Sequence, residues 1–110
     1  MEHANQVWGR RLREIRAESG ISQKALGIAA GLDQFVASTR INRYEVGVHK
    51  ADFLIALRLG EVLNVPAAYF YAEDDQLAEL IIRFHRSGTR EKAAILKAAK
   101  AAKAAKAAKA

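Results

Sequence analysis

Two glycines, Gly27 and Gly31, place the strongest constraint on how this 110-residue chain folds. Gly27 lies within a short predicted helix, where a second helix can cross closely because glycine has no side chain. Gly31 follows that helix, where a left-handed backbone costs glycine little. With Gln23 four residues before Gly27 and an amphipathic segment after Gly31, the spacing predicts two short crossing helices. Alone the signal is weak, because two glycines four residues apart often arise by chance.

The rest of the chain also has a helical pattern. Apolar residues recur at positions i, i+3, i+4 and i+7, and no useful run alternates with the period of a strand. Ser22, Asp33 and Asp52 are expected to cap the second, third and fourth helices. We expect an all-α fold of five packed helices, the first near residues 4–18, the second near 23–30, the third running from the Asp33 cap to 44, the fourth opening at 52 and the fifth spanning 66–71. Two further helices, from about 75 and from 89, form a C-terminal extension.

Charge is distributed unevenly along the chain. The formal net charge is +6, from 18 Lys plus Arg against 12 Asp plus Glu, but five of the lysines lie in residues 97–110. Residues 10–50 hold eight cations and four acids, whereas residues 51–96 hold five cations and seven acids. The first half therefore carries a modest positive face, and the basic tail is a separate feature. Both suit a nucleic-acid partner.

Several classes of function find no support in the residues. Cysteine is absent, which removes disulfides and thiolate sites and fits a reducing cytoplasm. The N-terminus lacks the apolar region of a signal peptide, and no run of about 20 apolar residues could span a membrane. The three histidines have no partner at metal-ligand spacing, and no phosphate loop or catalytic signature appears. We expect a soluble intracellular protein that is not an enzyme, with no metal and no cofactor.

Three segments carry a resemblance to a known family. They read LREIRAESGISQKALGIAAGL, RINRYEVG and LRLGEVLNVPAAYF. In order and spacing they resemble the phage-repressor and Cro-like helix-turn-helix family, also called the xenobiotic-response-element family, over about residues 9–72. The resemblance implies a lambda-repressor-like five-helix bundle whose second helix touches the DNA backbone and whose third lies in the major groove. It also implies a cytoplasmic, nucleoid-associated protein of a bacterium or phage.

The resemblance assigns roles to individual positions. Arg16 and Glu45 match the family's ion pair, which holds the third helix to the bundle. Gln23 matches a residue that contacts or positions the DNA backbone. The candidate DNA-binding residues are Gln23, Lys24, Gln34, Ser38, Thr39, Arg40, Asn42 and Arg43.

The chemistry of the third helix agrees with this assignment. Arg presents a fork that bonds guanine O6 and N7, and Asn does the same for adenine N6 and N7. For any one of these residues an ordinary solvated helix face is the simpler explanation, whereas the set favours DNA.

One departure from the family pattern lies between Gly31 and Glu45, where this chain has about four more residues. The surplus reads DQFV. Four residues are about one helical turn, so either the third helix is a turn longer at its start or the connection before it is a loop.

The leading functional hypothesis is a sequence-specific regulator of transcription that binds double-stranded DNA as a homodimer on a pseudo-palindromic operator. The alternatives are an antitoxin or protein-interaction module that uses the helix-turn-helix as scaffold, and a nonspecific nucleic-acid coater. We divide the chain into a DNA-binding domain, residues 1–74, an extension suited to dimerisation, residues 75–96, and the basic tail, residues 97–110. Apolar residues left over for a dimer contact are Leu54, Leu57, Leu77, Leu80, Ile81 and Phe84. The competing arrangement folds the extension back onto the fourth helix.

The tail is a strict Ala-Ala-Lys repeat from Lys97 onward. A three-residue period spreads the lysines around a helix of 3.6 residues per turn, so no apolar seam forms. We expect at best a frayed, exposed helix, either a natural basic arm or an added segment, that acts on DNA by charge alone.

Overall fold

The structure is a computed structural model that describes residues 3–109, with side chains described through residue 102. The elements in chain order are α1 (Ala4–Ser19), α2 (Gln23–Ala29), α3 (Ala37–Glu45), α4 (Phe53–Leu63), a 3-10 helix (Ala67–Tyr71), α5 (Asp75–Arg86) and α6 (Thr89–Lys109). Between residues 3 and 109 no strand forms. The predicted all-α fold with a C-terminal helical extension is therefore confirmed.

Helix starts follow the local capping chemistry. The side chains of Ser22 and Asp52 accept hydrogen bonds from backbone amides three residues further on, at 3.0 and 2.8 Å. Asp74 caps α5 in the same way at 2.8 Å. Each cap satisfies an amide that has no partner within its own helix.

The core forms where α1 packs on α3, α4 and the 3-10 helix, with α2 packed on α3 and α4. Trp8 is 8% exposed and lies against Phe70, with ring centroids 4.8 Å apart, so it belongs to the core. The largest fully buried side chains are Phe70, Leu12, Ile15, Leu26, Ile41 and Leu59. They come from five different elements, which makes the bundle one cooperative unit.

The start of α3 corrects the sequence prediction. The helix begins at Ala37, and Asp33 does not cap it. Instead the Asp33 carboxylate accepts from the amide of Phe35 at 2.8 Å, which closes a turn. Val36, which a helix starting at the Asp33 cap would align with Ile41 and Tyr44, is 42% exposed. The four surplus residues are thus a turn, because an Asp side chain bonds an amide two residues on as readily as it caps a helix.

Two arginines fasten α5 to the bundle. Arg11, with its side chain 4% exposed, donates to the carbonyl oxygens of Ala72 at 2.8 Å and Glu73 at 3.0 Å, and pairs with Asp75 at 2.9 Å. At the other end, Arg86 donates to two carbonyl oxygens at the C-terminal end of α4, at 3.1 and 3.3 Å. The beginning of α5 is therefore held to α1, and its end to α4.

One face of α5 is left exposed by this attachment. The inner face presents Ala78, which is buried, and Ile82, which is half-buried against the core. Leu77, Leu80 and Phe84 lie away from that face and are 48%, 51% and 38% exposed. We call these three residues the α5 stripe. Of the other residues assigned to this surface, Ile81 packs against the core instead, which corrects that assignment. Leu54 and Leu57 on α4 are 54% and 40% exposed, so the extension does not fold back over them.

The C-terminal helix α6 packs on α5 and runs to Lys109. Fraying of its end stays a prediction. Lys97 and Lys100 are exposed, and the side chains of the three later lysines lie outside the described residues. Within residues 3–109, no helix combines the length and hydropathy needed to cross a membrane.

Candidate nucleic-acid interface

The α2–α3 pair crosses at the predicted glycine. A Cβ atom built on Gly27 would lie 2.7 Å from the Cβ of Ala37, closer than two carbons can pack. Gly31 follows α2 with φ +93°, a left-handed conformation that other residues rarely adopt. Both glycines therefore do what the spacing predicted, and they set the angle at which α3 leaves the bundle.

An ion pair holds the end of α3 to α1. The guanidinium of Arg16 donates to both carboxylate oxygens of Glu45, Nε at 2.5 Å and Nη2 at 3.1 Å. The Glu45 side chain is only 3% exposed. Hydrogen bonding to Glu45 raises the pKa of Arg16 above its already high ordinary value, so its charge persists at any physiological pH. The remaining nitrogen, Nη1, donates to the Ile21 carbonyl oxygen before α2 at 3.1 Å.

Gln23 extends this network to the outer surface. Its amide nitrogen donates to Glu45 at 3.0 Å and to the side-chain oxygen of Asn42 at 3.2 Å. We call Arg16, Glu45, Gln23 and Asn42 the clamp. A phosphate contact by Gln23 stays a prediction, and in this arrangement both of its amide protons already have acceptors.

The exposed face of α3 carries polar side chains suited to base edges. Ala37, Ile41, Tyr44 and Glu45 are buried, which turns the opposite side of the helix to solvent. That side holds Ser38, Thr39, Asn42 and Arg43, all exposed. Within residues 3–109, no acceptor engages the Arg43 guanidinium, so the whole fork is open to a ligand.

Arg40 differs from Arg43 in having a hydrogen-bond partner among the residues that the structure describes, although both were predicted to bind DNA. Its guanidinium donates to the hydroxyl of Tyr44, Nη2 at 2.8 Å and Nε at 3.3 Å. This contact bends the side chain toward the flank of α3 and occupies one edge of the fork. Arg40 keeps only its Nη1–Nη2 edge for a bidentate contact to guanine, whereas Arg43 can use either edge of its fork.

The remaining predicted residues flank α3. Lys24 is exposed in the first turn of α2, and Gln34 is exposed in the turn before α3. Phe35, beside Gln34, was not among the predicted residues and is 85% exposed. The one feature of the sequence that points to Phe35 is its place in the surplus DQFV. A continuous helix through this segment would not have singled it out.

This surface offers hydrogen-bond donors and positive charge, which is the chemistry that DNA requires. Lys24, Arg40 and Arg43 are cations for phosphates or guanine, and Asn42 is a donor and acceptor for adenine. In the described part of the chain, no group of three or more acidic residues or histidines lies close enough to hold a metal ion. The arrangement is suited to recognition.

Comparisons with known proteins agree with this geometry. The model of a family described as helix-turn-helix, HTH_3, matches residues 12–70. Four chains of solved structures match, among them the crystal structure of transcriptional regulator BswR. That chain has a TM-score of 0.78 and 38% sequence identity, over 84% of this chain and 91% of that chain. A search of curated proteins found no match. The matched residues are more than half of the chain and include the crossing helices and the clamp. The chain therefore belongs to the HTH_3 helix-turn-helix family of non-enzymatic DNA-binding regulators.

Proposed function

We propose that this protein regulates transcription by binding a specific double-stranded DNA sequence, as a homodimer on a pseudo-palindromic operator. α3 enters the major groove, with Arg43 and Asn42 as the main base-reading residues. Lys24 and the first turn of α2 contact phosphates. Arg40, turned toward Tyr44, lies at the flank of the groove.

The observation that carries this proposal is the clamp. In the clamp the Arg16–Glu45 pair, with its buried carboxylate, positions Gln23, and Gln23 holds Asn42 on its protein-facing side. Burying charge destabilises a fold unless the charge is well paired. Gln23 donates to the Asn42 oxygen and leaves the Asn42 amide protons for the N7 of adenine, while the same oxygen can still accept from N6. A scaffold that did not read bases would gain little from a side chain positioned in this way.

The α5 stripe supports the dimer. Three large apolar side chains at helical spacing stand exposed on a helix that is fastened at both ends. A second copy related by a two-fold axis would cover the stripe with an identical stripe. Two α3 helices could then reach half-sites about 34 Å apart.

Binding to DNA and selection of its sequence are tested together. The full chain is mixed with a random duplex pool, bound sequences are enriched, and the enriched duplex is compared with unrelated DNA by mobility shift at two salt concentrations. We expect an enriched palindrome that unrelated DNA cannot displace at the higher salt. A protein-interaction module would bind neither duplex, and a nonspecific coater would bind both equally.

Arg43→Ala should weaken binding to the enriched duplex by about 1–3 kcal/mol and relax preference at one base pair of each half-site. The reason is that a bidentate contact to guanine is lost, while phosphate contacts remain. Lys24→Ala is the matched control, since loss of a phosphate contact weakens all duplexes alike and lowers the salt slope by about one. Titrations on enriched and random duplexes separate the two effects. Equal losses on both duplexes for Arg43→Ala would refute its base-reading role.

Leu80→Glu combined with Phe84→Glu should convert the dimer to a monomer, because two like charges per chain would face their copies across the axis. Sedimentation equilibrium measures the mass. Leu96→Glu is the control, since Leu96 on α6 is 51% exposed, like Leu80, but lies outside the stripe. If the double variant keeps the dimer mass, the α5 stripe is not the contact.

Truncation after Leu96 should lower affinity for every duplex and reduce the salt slope by at most about 4–5, because five lysines per chain are lost. Base preference should not change. Replacing the five lysines by glutamine at full length should give the same result, which separates charge from length. An altered enriched sequence after truncation would mean that the tail takes part in recognition.

A further inference from the structure

Phe35 is the most exposed large apolar side chain among the described residues, at 85%. It contributes nothing to the core, which is complete without it. A ring that stays in water gains nothing from folding. It is therefore free to contact a partner.

The backbone around Phe35 is held by hydrogen bonds. The Phe35 amide donates to the Asp33 carboxylate at 2.8 Å, and the Val36 amide donates to the Asp33 carbonyl oxygen at 3.1 Å. α3 starts directly afterwards, with the Arg40 amide donating to the carbonyl oxygen of Val36 at 2.8 Å. The ring is thus presented from an ordered turn, two residues before the first helical residue, Ala37.

This location is the leading end of the helix that the proposed function places in the major groove. The helix-turn-helix motif consists here of α2 and α3. In such a motif, residues near the N-terminus of its second helix, α3, contact base edges. The major groove offers one apolar group for such a ring, the C5-methyl of thymine. Insertion between base steps is typical of proteins that enter the minor groove, and the α3 geometry does not favour it.

We propose that Phe35 packs on the C5-methyl group of one thymine in each half-site and selects thymine at that position. This inference rests on the proposed function. The DQFV turn then adds an apolar contact to a helix whose other candidate contacts are polar. Arg43 and Asn42 select their bases by hydrogen bonds, whereas Phe35 selects by a methyl group.

The test removes only that methyl group. In the enriched duplex, each thymine is replaced singly by deoxyuridine, which keeps the same Watson–Crick pairing. For the parent chain we expect one position per half-site at which the replacement weakens binding about fourfold, as expected for the loss of one buried methyl group. Phe35→Ala should bind the uracil and thymine duplexes with equal affinity. Its affinity for both should be lower than that of the parent chain.

Phe53→Ala is the matched control. Phe53 is an exposed phenylalanine at the start of α4, 65% exposed, and its loss should leave the uracil effect unchanged. Thermal melting and sedimentation of Phe35→Ala should match the parent, because the ring is in solvent and outside the α5 stripe. A lower mass for Phe35→Ala would place the ring between copies of the chain and overturn the inference.

The remaining outcomes are distinct. If the parent enriches no sequence, the proposed function fails and the thymine contact fails with it. If it enriches a sequence but binds every uracil duplex as well as the thymine duplex, only the role of Phe35 fails. The same holds if Phe35→Ala retains the full uracil effect, or if the enriched half-site contains no thymine.

Discussion

Arg16→Ala should lower the free energy of unfolding by at most about 3–5 kcal/mol, the cost of a fully buried pair, because Glu45 loses its cation while Arg16 itself is 20% exposed. Glu45 has a side chain 3% exposed, and among the described side chains the Gln23 amide would remain as its one donor after the substitution. The Ile21 carbonyl oxygen also loses its donor. Urea unfolding followed by circular dichroism measures the change. The end of α3 should loosen as well, so affinity for DNA should fall with stability.

The control for this prediction is an ion pair of the same chemistry in solvent. Arg83 pairs with Glu79 at 3.0 Å on α5, with side chains 73% and 62% exposed. Arg83→Ala should cost no more than about 0.5 kcal/mol, since water and salt screen an exposed pair. Adding Glu45→Gln to Arg16→Ala should recover part of the loss by removing the stranded charge. A loss below about 1 kcal/mol for Arg16→Ala would mean that Glu45 reaches solvent.

Gly9→Ala should destabilise the fold by about 3 kcal/mol, although glycine to alanine within a helix ordinarily stabilises by about 1 kcal/mol. A Cβ atom on Gly9 would lie 2.4 Å from the carbonyl oxygens of both Tyr44 and Glu45. These are backbone atoms at the end of α3, so relief requires the whole helix to move. The substitution should therefore reduce DNA affinity beyond its effect on stability.

Thermal melting and urea unfolding of Gly9→Ala check this prediction. Arg13→Ala, at an exposed position of the same helix, serves as control and should change stability by no more than about 0.5 kcal/mol. A Gly9→Ala variant more stable than the parent would show that α1 and α3 are further apart than the structure has them. Nothing in the pattern around Gly9 predicts this contact, because its partners Tyr44 and Glu45 lie 35 and 36 positions away.

The candidate site was only partly predictable. The α2–α3 crossing follows from the spacing of Gly27 and Gly31, and the Arg16–Glu45 pair followed from the resemblance. The link through Gln23 to Asn42 did not, since it depends on how two helix ends meet in space. The position of Phe35 could not be predicted, because Asp33 can either cap a helix or close a turn and the local pattern does not distinguish the two.

Most helices and their polar and apolar faces follow from local sequence patterns, the start of α3 excepted. Helix periodicity, the caps at Ser22 and Asp52 and the left-handed turn at Gly31 act within a few residues, so neighbours along the chain suffice to predict them. Which arginines are buried, and which apolar stripe stays exposed, became clear only from the packed fold. Arg11 and Arg13 look alike in sequence, yet Arg11 is buried under the start of α5 and Arg13 lies in solvent. An amphipathic pattern predicts that one face of a helix is removed from water. Which element covers that face depends on the packing of segments that are distant in the sequence.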